Sequence, residues 1–314
     1  MPEVSVVIVN HNRREMLREC LNSVDQNDLT TEVFVVDNAS SDGSVEMLES
    51  EYRWVHLLRN RANERFAKPN NDAIRLATGR YILLLNNDAA LCRGALRALV
   101  SYLDAHTDVG MVGPQLLNRD GSIQPSCHGF VSLRTHFFDM FLMDRLFPKS
   151  KFFASAPMTY FDHTGELEVD HVMAAAVLVR RDIMQQVGLF DEQLSVYFND
   201  LDLSYRFSKA GWKRVFLPDA RVVHHGGHTA KSMMREIQFF REQYNNIFHY
   251  YRKHYGKRVL GLYKVLLFAG FIPRVAIWSL ISIFSKSERT LSMKMFAART
   301  LQVLIGWSGS GRRG

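Results

Sequence analysis

The stretch over residues 81–90, YILLLNNDAA, decides the fold, because five apolar residues in a row end abruptly at Asn86-Asn87-Asp88. Such a run is typical of a strand that is buried on both faces of a parallel sheet. Gly79-Arg80 before the run and the Asn-Asn-Asp sequence after it are turn residues. Open α/β sheets bind ligands at the carboxyl ends of such strands. Asp88 is therefore a candidate ligand-binding carboxylate, and a helix cap is the alternative.

Strand and helix patterns alternate through roughly the first 90 residues. They predict, in chain order, a strand over 4–9, a helix over 13–24, a strand over 32–36, a helix from Ser44, a strand over 54–58, a helix over 70–77 and a strand over 81–85. This alternation predicts βαβ units around a parallel sheet. The early strands end in polar residues, at 10–12, 37–42 and 86–88. The carboxyl ends of parallel strands share one edge, so these residues are predicted to form one pocket.

The charge of the chain is unevenly distributed along its length. The net charge is +7, but residues 231–314 hold 15 basic and 3 acidic residues, and the first 230 residues carry a net −5. A basic tail on a mildly acidic body predicts an anionic partner surface, either membrane or nucleic acid. Residues 265–284, VLLFAGFIPRVAIWSLISIF, contain Arg274 as their single charge. This apolar run favours a membrane, and no nucleic-acid partner is expected.

The apolar run is long enough to span a bilayer. However, a central Arg274 is costly in a span, and Pro273 is expected to break the helix. We therefore expect two amphipathic segments that lie on an anionic membrane face, with a helical appendage packed on the rest of the chain as the alternative. Residues 232–253 before it predict an aromatic-rich helix. Residues 127–167, with nine Phe and Tyr and no clean period, are predicted to cover a substrate or to form a partner surface.

The sequence lacks the phosphate-binding motifs of two common classes of nucleotide-binding protein. No G-x-G-x-x-G follows the first strand, and no Walker-type phosphate loop occurs, which argues against a dehydrogenase or a P-loop ATPase. A pocket without such a loop needs another way to neutralise phosphate, and Mg²⁺ or Mn²⁺ held by Asp88 would do so. Three widely spaced cysteines indicate a reducing compartment. The first residues, MPEVSVVIVN, predict a strand and not a signal peptide.

Seven stretches, which occur in a fixed order, extend over roughly residues 4–230. They are VSVVIVNHNR (4–13), VFVVDNASSDGS (33–44), NERFAKPNN (63–71), GRYILLLNND (79–88), VGPQLLNRDGSIQ (112–124), GLFDEQLSVYFNDLDLSYRFSKAGW (188–212) and ARVVHHGGHT (220–229). Together they resemble the family 2 inverting glycosyltransferases of the GT-A fold, particularly bacterial rhamnosyltransferase-like members. The resemblance implies a GT-A nucleotide-binding sheet flanked by helices over residues 1–230. Residues 231–314 then form a helical, basic C-terminal region that associates with a membrane.

The resemblance also implies roles for individual residues. Asp37 matches the acid that recognises the nucleotide base, and Asp42 matches a second acid on the same loop. The Asn-Asn-Asp turn matches the DXD position that contacts the diphosphate and the metal. With the end of the first strand included, the predicted nucleotide-binding residues are Asn10, Asp37, Asp42, Asn86, Asn87 and Asp88.

Two further positions match the chemical centre of the family. His224 matches a metal ligand in related enzymes, so Asp88 and His224 are the predicted ligands of Mg²⁺ or Mn²⁺. Asp200 matches the general base, which removes the proton of the acceptor hydroxyl as the nucleoside diphosphate leaves from the opposite face. Asp202 is expected to cap a helix or to pair with Arg206. His225 points away from His224, because adjacent strand residues alternate sides.

Four residues depart from the family pattern and bear on the donor sugar more than on the chemistry. Arg65 replaces a Gly, His171 a Trp, Ala174 a Gly, and Asn199 the Glu of a Glu-Asp pair. The QxxRW signature of processive members is absent, so transfer of a single sugar is expected.

These features predict a metal-dependent inverting glycosyltransferase. Its donor is a nucleoside-diphosphate sugar, with dTDP-rhamnose as a candidate, and its acceptor is a lipid-linked or cell-surface glycan. The expected location is cytoplasmic and peripheral, at the inner face of the cell membrane. The alternative is a non-catalytic nucleotide-sugar-binding or scaffold protein of the same fold.

Overall fold

A computed structural model describes residues 2–26, 29–195, 198–226 and 237–284. The strands are β1 (Val4–Asn10), β2 (Thr31–Asn38), β3 (His56–Asn60), β4 (Tyr81–Leu85), β5 (Ala89–Leu91), β6 (Val109–Leu117), β7 (Ile123–Gln124), β8 (Cys127–His128), β9 (Leu167–Glu168), β10 (His171–Val172), β11 (Ala176–Arg180) and β12 (Lys213–His224). The helices are α1 (Arg14–Asp25), α2 (Ser44–Glu51), α3 (Ala67–Leu76), α4 (Ala95–Ala105), α5 (Leu133–Met140), α6 (Met143–Leu146), α7 (Arg181–Val187), α8 (Asn199–Lys209), α9 (Ile237–His254) and α10 (Gly256–Phe284).

The strands form one central mixed sheet, which confirms the predicted α/β class. Within the described ranges its order is β3-β2-β1-β4-β11-β6-β12-β5, with β7 added to β6 and β9 to β12. The strands β1 to β4 run parallel, whereas β11 is antiparallel to both β4 and β6. A separate antiparallel pair joins β8 to β10. The parallel half brings the carboxyl ends of β1, β2 and β4 to one edge, as predicted.

β4 lies in the middle of the sheet and is buried along its whole length. Tyr81, Leu83 and Leu85 belong to the apolar layer on one face of the sheet, together with residues of α1 and α4. Ile82 and Leu84 belong to the layer on the other face, together with residues of α3, α7 and α8. The unbroken apolar run therefore reflects burial on both faces of the strand.

Element bounds differ from the predicted ones where turn chemistry shifts them. β3 begins at His56, two residues beyond the predicted start. α3 begins at Ala67 and not at residue 70, because Pro69 lies in its first turn, where a missing N–H costs little. The sequence also predicts a short strand over 109–112, whereas β6 continues to Leu117 and forms a hairpin with β7.

The described chain divides into two compact units. The first unit comprises Met1–Phe130 and Ala156–Gly226 and contains the central sheet. The second unit comprises Val131–Ser155 and Gly227–Gly314, so residues 131–155 group with the C-terminal helices. The predicted domain boundary at residue 230 and the start of the helix predicted over 232–253 lie outside the described residues.

In the second unit, α10 is one continuous helix of 29 residues with Pro273 inside it. The predicted break at Pro273 is therefore wrong. A proline in a helix removes one backbone hydrogen bond, and α10 is held beside it by α5. Gly270 lets the backbone of α10 approach Met140, because a Cβ at this position would overlap Cγ of Met140. Arg274 Nη2 donates to the carbonyls of Asp139 (3.2 Å) and Met140 (2.5 Å).

By length and composition alone, α10 would suffice to cross a bilayer, and it is the single such helix among the described residues.

Candidate active site

The ends of β1, β2 and β4 are joined by side-chain hydrogen bonds. Asn10 and Asp37 are register partners across β1 and β2. Asn10 Nδ2 donates to Asp37 Oδ1 (3.2 Å), and Asn10 Oδ1 accepts from Asn87 Nδ2 (2.8 Å). Asp37 Oδ2 accepts from the amide of Ser40 (2.9 Å). Both Asn10 and Asp37 are buried. The structure thus brings these three predicted residues into one polar network at the sheet edge.

Asp42 lies beside this network and connects the starts of two helices. Its Oδ2 accepts from the amide of Arg14 (2.8 Å), at the start of α1. Its Oδ1 accepts from the amide (3.1 Å) and hydroxyl (2.5 Å) of Ser44, at the start of α2. Burial acts against ionisation, but these bonds outweigh it and lower the pKa of Asp42. The side chain therefore supports the loop, and a direct nucleotide contact stays a prediction.

Asp88 and His224 meet because β5 pairs with the end of β12. Ala89 lies opposite His224 in the register, and the amide of His225 donates to the carbonyl of Asp88 (2.9 Å). Asp88 Oδ1 lies 3.4 Å from His224 Nε2. His225 points elsewhere, with Nε2 3.1 Å from Oε2 of Glu19. The alternation expected for this strand holds, and His224 is the histidine that faces Asp88.

Gln124, which received no role from the sequence, orients His224. Gln124 Nε2 donates to Asn118 Oδ1 (3.3 Å), so its Oε1 is left to accept from His224 Nδ1 (2.7 Å). This bond turns the ring so that Nε2 of His224 faces Asp88. Gly226 makes room, because a Cβ there would lie 3.0 Å from Gln124 Nε2 and 3.1 Å from His224 Cε1.

The two side chains fit a divalent ion that takes most of its ligands from a substrate. Asp88 supplies an oxygen and His224 a nitrogen, and within residues 2–26, 29–195, 198–226 and 237–284 no third His, Cys, Asp or Glu joins them. Mg²⁺ bound with nucleotides commonly takes one or two carboxylates and completes its shell with phosphate oxygens and water. Burial disfavours ionisation of Asp88, but contact with His224 and the charge of Arg13 outweigh it and lower its pKa.

Asp200 lies in the first turn of α8 and is held by three contacts. Its Oδ1 accepts from the amide of Leu201 (3.0 Å), and its Oδ2 accepts from the amide of Ala174 (3.2 Å). His171 Nε2 lies 3.2 Å from Oδ2. Burial works against the charged form, but His171 and the two amides outweigh it and lower the pKa of Asp200 to about 2. About 25% of the Asp200 side chain is exposed, so the carboxylate stays reachable.

Ala174 and Ala175 connect this carboxylate to the Asn-Asn-Asp turn. The amide of Ala174 donates to Asp200, and the carbonyl of Ala175 accepts from the amide of Asn86 (2.9 Å). Asp200, the candidate base, and the Asn-Asn-Asp turn, the candidate diphosphate site, are therefore each hydrogen-bonded to one of these two adjacent residues. Two of the four departures from the family pattern, His171 and Ala174, are among the three residues that contact Asp200.

The remaining departures have local explanations. Arg65 has φ +66°, in the left-handed region that glycine adopts most easily, which accounts for Gly in the family pattern. Asn199 is buried and begins α8. Asp202 Oδ2 accepts from Arg206 Nε (2.9 Å), which confirms the predicted pair.

Replacement of His171 by Phe is expected to raise the pH at which activity is lost on the acid side of the pH profile. The wild-type carboxylate has a pKa of about 2 and stays ionised above it, so activity that needs the ionised form is lost only as the pH falls through that value. Removal of an adjacent cation raises a carboxyl pKa by about 1–3 units. The limb in a plot of kcat/KM against pH should therefore move up by about 1–3 pH units.

His171→Lys, which restores a cation, is the matched control and should keep the limb low. Circular dichroism at each pH separates loss of activity from unfolding. A folded His171→Phe protein with the wild-type acid limb would show that His171 does not control the carboxylate.

Comparisons with known proteins identify the family of the chain. The model of the family described as "Glycosyl transferase family 2" matches residues 5–186. An N-acetylglucosaminyl-diphospho-decaprenol L-rhamnosyltransferase of Mycobacterium tuberculosis is 28% identical over 208 residues, which cover 63% of this chain and 67% of that protein. The O-antigen biosynthesis protein RfbC of Myxococcus xanthus is 28% identical over 229 residues, which cover 71% of this chain and 17% of that protein.

A solved structure supports the fold. The mannosyltransferase PcManGT from Pyrobaculum calidifontis, in complex with GDP-Man and Mn²⁺, superposes with a TM-score of 0.53 at 18% identity, over 99% of this chain and 88% of that one. This similarity supports the predicted GT-A arrangement of a central sheet flanked by helices. With a family match over more than half its length and this fold, the chain belongs to glycosyl transferase family 2.

Proposed function

We propose that this protein transfers a single sugar, with inversion, from a nucleoside-diphosphate sugar to a hydroxyl of a lipid-linked or cell-surface glycan. The observation that carries the proposal is the Asp88–His224 pair, beside the polar network at the ends of β1, β2 and β4. A relative is named as a rhamnosyltransferase that acts on a diphospho-decaprenol glycan. That name supports dTDP-rhamnose as the donor candidate and a lipid-linked acceptor.

In this proposal the catalytic domain, residues 1–230, binds the donor along the edge of its sheet. Asp37 accepts a hydrogen bond from the nucleotide base, because each carboxylate oxygen keeps a lone pair beyond its present bond. Asn10 and Asn87 hold the Asn-Asn-Asp turn in place. Asp88 and His224 would hold Mg²⁺ or Mn²⁺, and the ion would offset the charge of the leaving diphosphate.

The reaction requires one base on this chain. An acceptor hydroxyl oxygen forms a bond to the anomeric carbon while the bond from that carbon to the diphosphate oxygen breaks on the opposite face. Asp200 takes the proton that the hydroxyl loses, so the products are a glycoside and a nucleoside diphosphate. The amides of Ala174 and Leu201 fix the carboxylate in position for this transfer.

In this proposal the C-terminal region places the protein at a membrane. Residues 231–314 carry a net charge of +12 and an apolar helix, a combination that favours the surface of an anionic membrane. The enzyme would then act from the cytoplasmic side, peripherally, where lipid-linked acceptors present their glycans.

A donor screen on the full chain tests the proposed function. Thermal unfolding with UDP, GDP and dTDP sugars, each with and without Mn²⁺, should show stabilisation by one nucleotide series only with the metal present. A ligand at 100 times its Kd stabilises a protein by about 2.7 kcal/mol, which is readily measured.

The stabilising donor should then give nucleoside diphosphate and a glycosylated product when a polyprenyl-diphosphate glycan is added. Binding without transfer or donor hydrolysis would favour the non-catalytic alternative. No stabilisation by any nucleotide sugar would contradict donor binding altogether.

A further inference from the structure

The second unit carries two exposed apolar surfaces among its described residues. The first, here called the aromatic patch, lies within Val131–Ser155 and consists of Phe137, Phe141, Leu142, Leu146, Phe147 and Phe152. Leu146 is 69% exposed and Phe152 is 54% exposed. Exposed apolar patches of this kind mark protein or membrane interaction sites.

The patch is continuous, because its rings contact one another and a buried layer beneath them. The rings of Phe137 and Phe141 lie 4.5 Å apart, and Phe152 lies 5.1 Å from buried Phe138. Phe147 stacks on Phe153 at 5.0 Å. The exposed residues are therefore the outer layer of a small aromatic cluster and not isolated surface side chains.

The opposite side of the segment is fixed to the C-terminal helices. His136 Nδ1 lies 2.7 Å from the hydroxyl of Tyr251 in α9, and the hydroxyl of Tyr255 donates to the carbonyl of Val131 (2.9 Å). Arg274 of α10 donates to the carbonyls at the end of α5. These contacts occupy the inner face of the segment, so the aromatic patch is left as its outer face.

α10 contributes the second apolar surface. Its inner face, which includes Leu260, Tyr263, Leu267 and Phe271, is buried. Its outer face is exposed and carries apolar residues at helical spacing, namely Leu262, Val265, Ile272, Leu280 and Ile283. At 1.5 Å per residue this face extends for about 30 Å.

Charge identifies the partner of these surfaces. From the sequence, the second unit holds 19 basic and 5 acidic residues, a net +14, whereas the first unit has a net −7. Within residues 131–155, Arg134, Arg145, Lys149 and Lys151 are exposed beside the patch. Exposed aromatics flanked by lysine and arginine fit the boundary between the headgroups and acyl chains of an anionic bilayer.

The contact between α5 and α10 also bears on how the helix meets the bilayer. Gly270 and Arg274 lie near the middle of α10 and pack against the end of α5. If α10 spanned the bilayer, α5 and the exposed charges of Asp139 and Arg145 would be drawn towards the hydrocarbon centre, where charges are costly. A helix that lies in the plane of the interface avoids this.

We propose that residues 131–155 and α10 together form a monotopic surface that lies in the interface of an anionic bilayer, with the aromatic patch inserted. The inference extends the membrane attachment of the proposed function, on which it rests, to an internal segment that the sequence assigned to the catalytic domain. The proposal also requires that α10 lies on the membrane and does not span it.

The test compares full-length variants in sedimentation with vesicles of phosphatidylcholine, alone or mixed with phosphatidylglycerol. Replacement of Leu146, Phe147 and Phe152 by Gln should weaken binding to the mixed vesicles by at least about tenfold, because three exposed apolar side chains no longer enter the lipid. The matched control replaces three exposed apolar residues of the first unit, Trp54, Leu76 and Ile123, by Gln and should bind like wild type.

Further measurements make the outcome decisive. Both triple variants should still unfold in one cooperative thermal transition, since all six side chains are exposed and the buried layers beneath them are kept. Reagents that do not cross the vesicle should label cysteines introduced at Lys257 and at Ile281, which are exposed but lie off the outer apolar face, because a lying helix keeps both ends outside.

The inference would be overturned if the triple Gln variant of the aromatic patch bound vesicles as tightly as the wild-type protein, or if one end of α10 were protected from the labelling reagent. Either result would leave membrane attachment intact. Absence of binding by the wild-type chain would overturn both. Donor binding, measured in solution on the same samples, tests the glycosyltransferase assignment separately.

Discussion

Replacement of Asp200 by Asn is expected to lower the rate of sugar transfer by about 10²–10⁴-fold while donor binding is kept. The amide has nearly the shape of the carboxylate but cannot take the hydroxyl proton. It also has one acceptor oxygen where the carboxylate uses two, so the amide of Ala174 or Leu201 loses its partner. That loss affects stability by about 1–3 kcal/mol and does not touch the donor. The measurement is kcat for transfer beside the Kd for the nucleoside diphosphate.

Asp182→Asn is the matched control for this variant. Asp182 Oδ1 accepts from the amide of the next residue, Ile183 (2.9 Å), as Asp200 does from Leu201 (3.0 Å). Asp182 is exposed at the start of α7, and its hydrogen bond to Ile183 involves none of the candidate site residues. Full transfer activity in Asp200→Asn would remove Asp200 as the base.

Replacement of Asp88 by Asn is expected to abolish the dependence of donor binding on the metal. Asp88 is the only carboxylate paired with His224 in the described part of the first unit, so its loss leaves one neutral ligand. Loss of an outer-shell partner weakens metal binding by about 10–100-fold, and loss of a direct ligand should cost at least about 100-fold. Calorimetric titration of nucleoside diphosphate, with and without Mn²⁺, measures this effect.

The control for Asp88 is Asp120→Asn, in the turn between β6 and β7. Asp120 is exposed and accepts from Ser122, so its charge lies on the surface of the same hairpin that carries Gln124. The Asp120→Asn variant should bind donor and metal as the wild-type protein does. Persistence of tight, Mn²⁺-dependent binding in Asp88→Asn would show that the metal is held elsewhere.

Much of the fold could be predicted because hydrophobic patterning and turn residues act locally. The run over residues 81–85 identified a doubly buried strand, and its polar end identified the edge where Asn10, Asp37 and Asn87 meet. The pairing of Asp88 with His224 came from the resemblance, and the structure explains it through the register of β5 and β12.

Other features depend on contacts between distant parts of the chain and have no local pattern. Gln124 reaches His224 only through the β6–β7 hairpin, and His171 reaches Asp200 only through the packing of α8 on β10. Pro273 and Arg274 suggested a broken helix, because the sequence did not reveal the α5 carbonyls that Arg274 contacts. For the same reason, the grouping of residues 131–155 with the C-terminal helices could not be predicted.

The anomeric configuration of the product tests most directly whether the sugar is transferred in a single displacement at the anomeric carbon. Nuclear magnetic resonance of the glycoside, made from the donor identified in the screen, gives this configuration. We expect a configuration opposite to that of the donor, because the acceptor attacks from the face away from the diphosphate. A product with the configuration of the donor would contradict a single displacement.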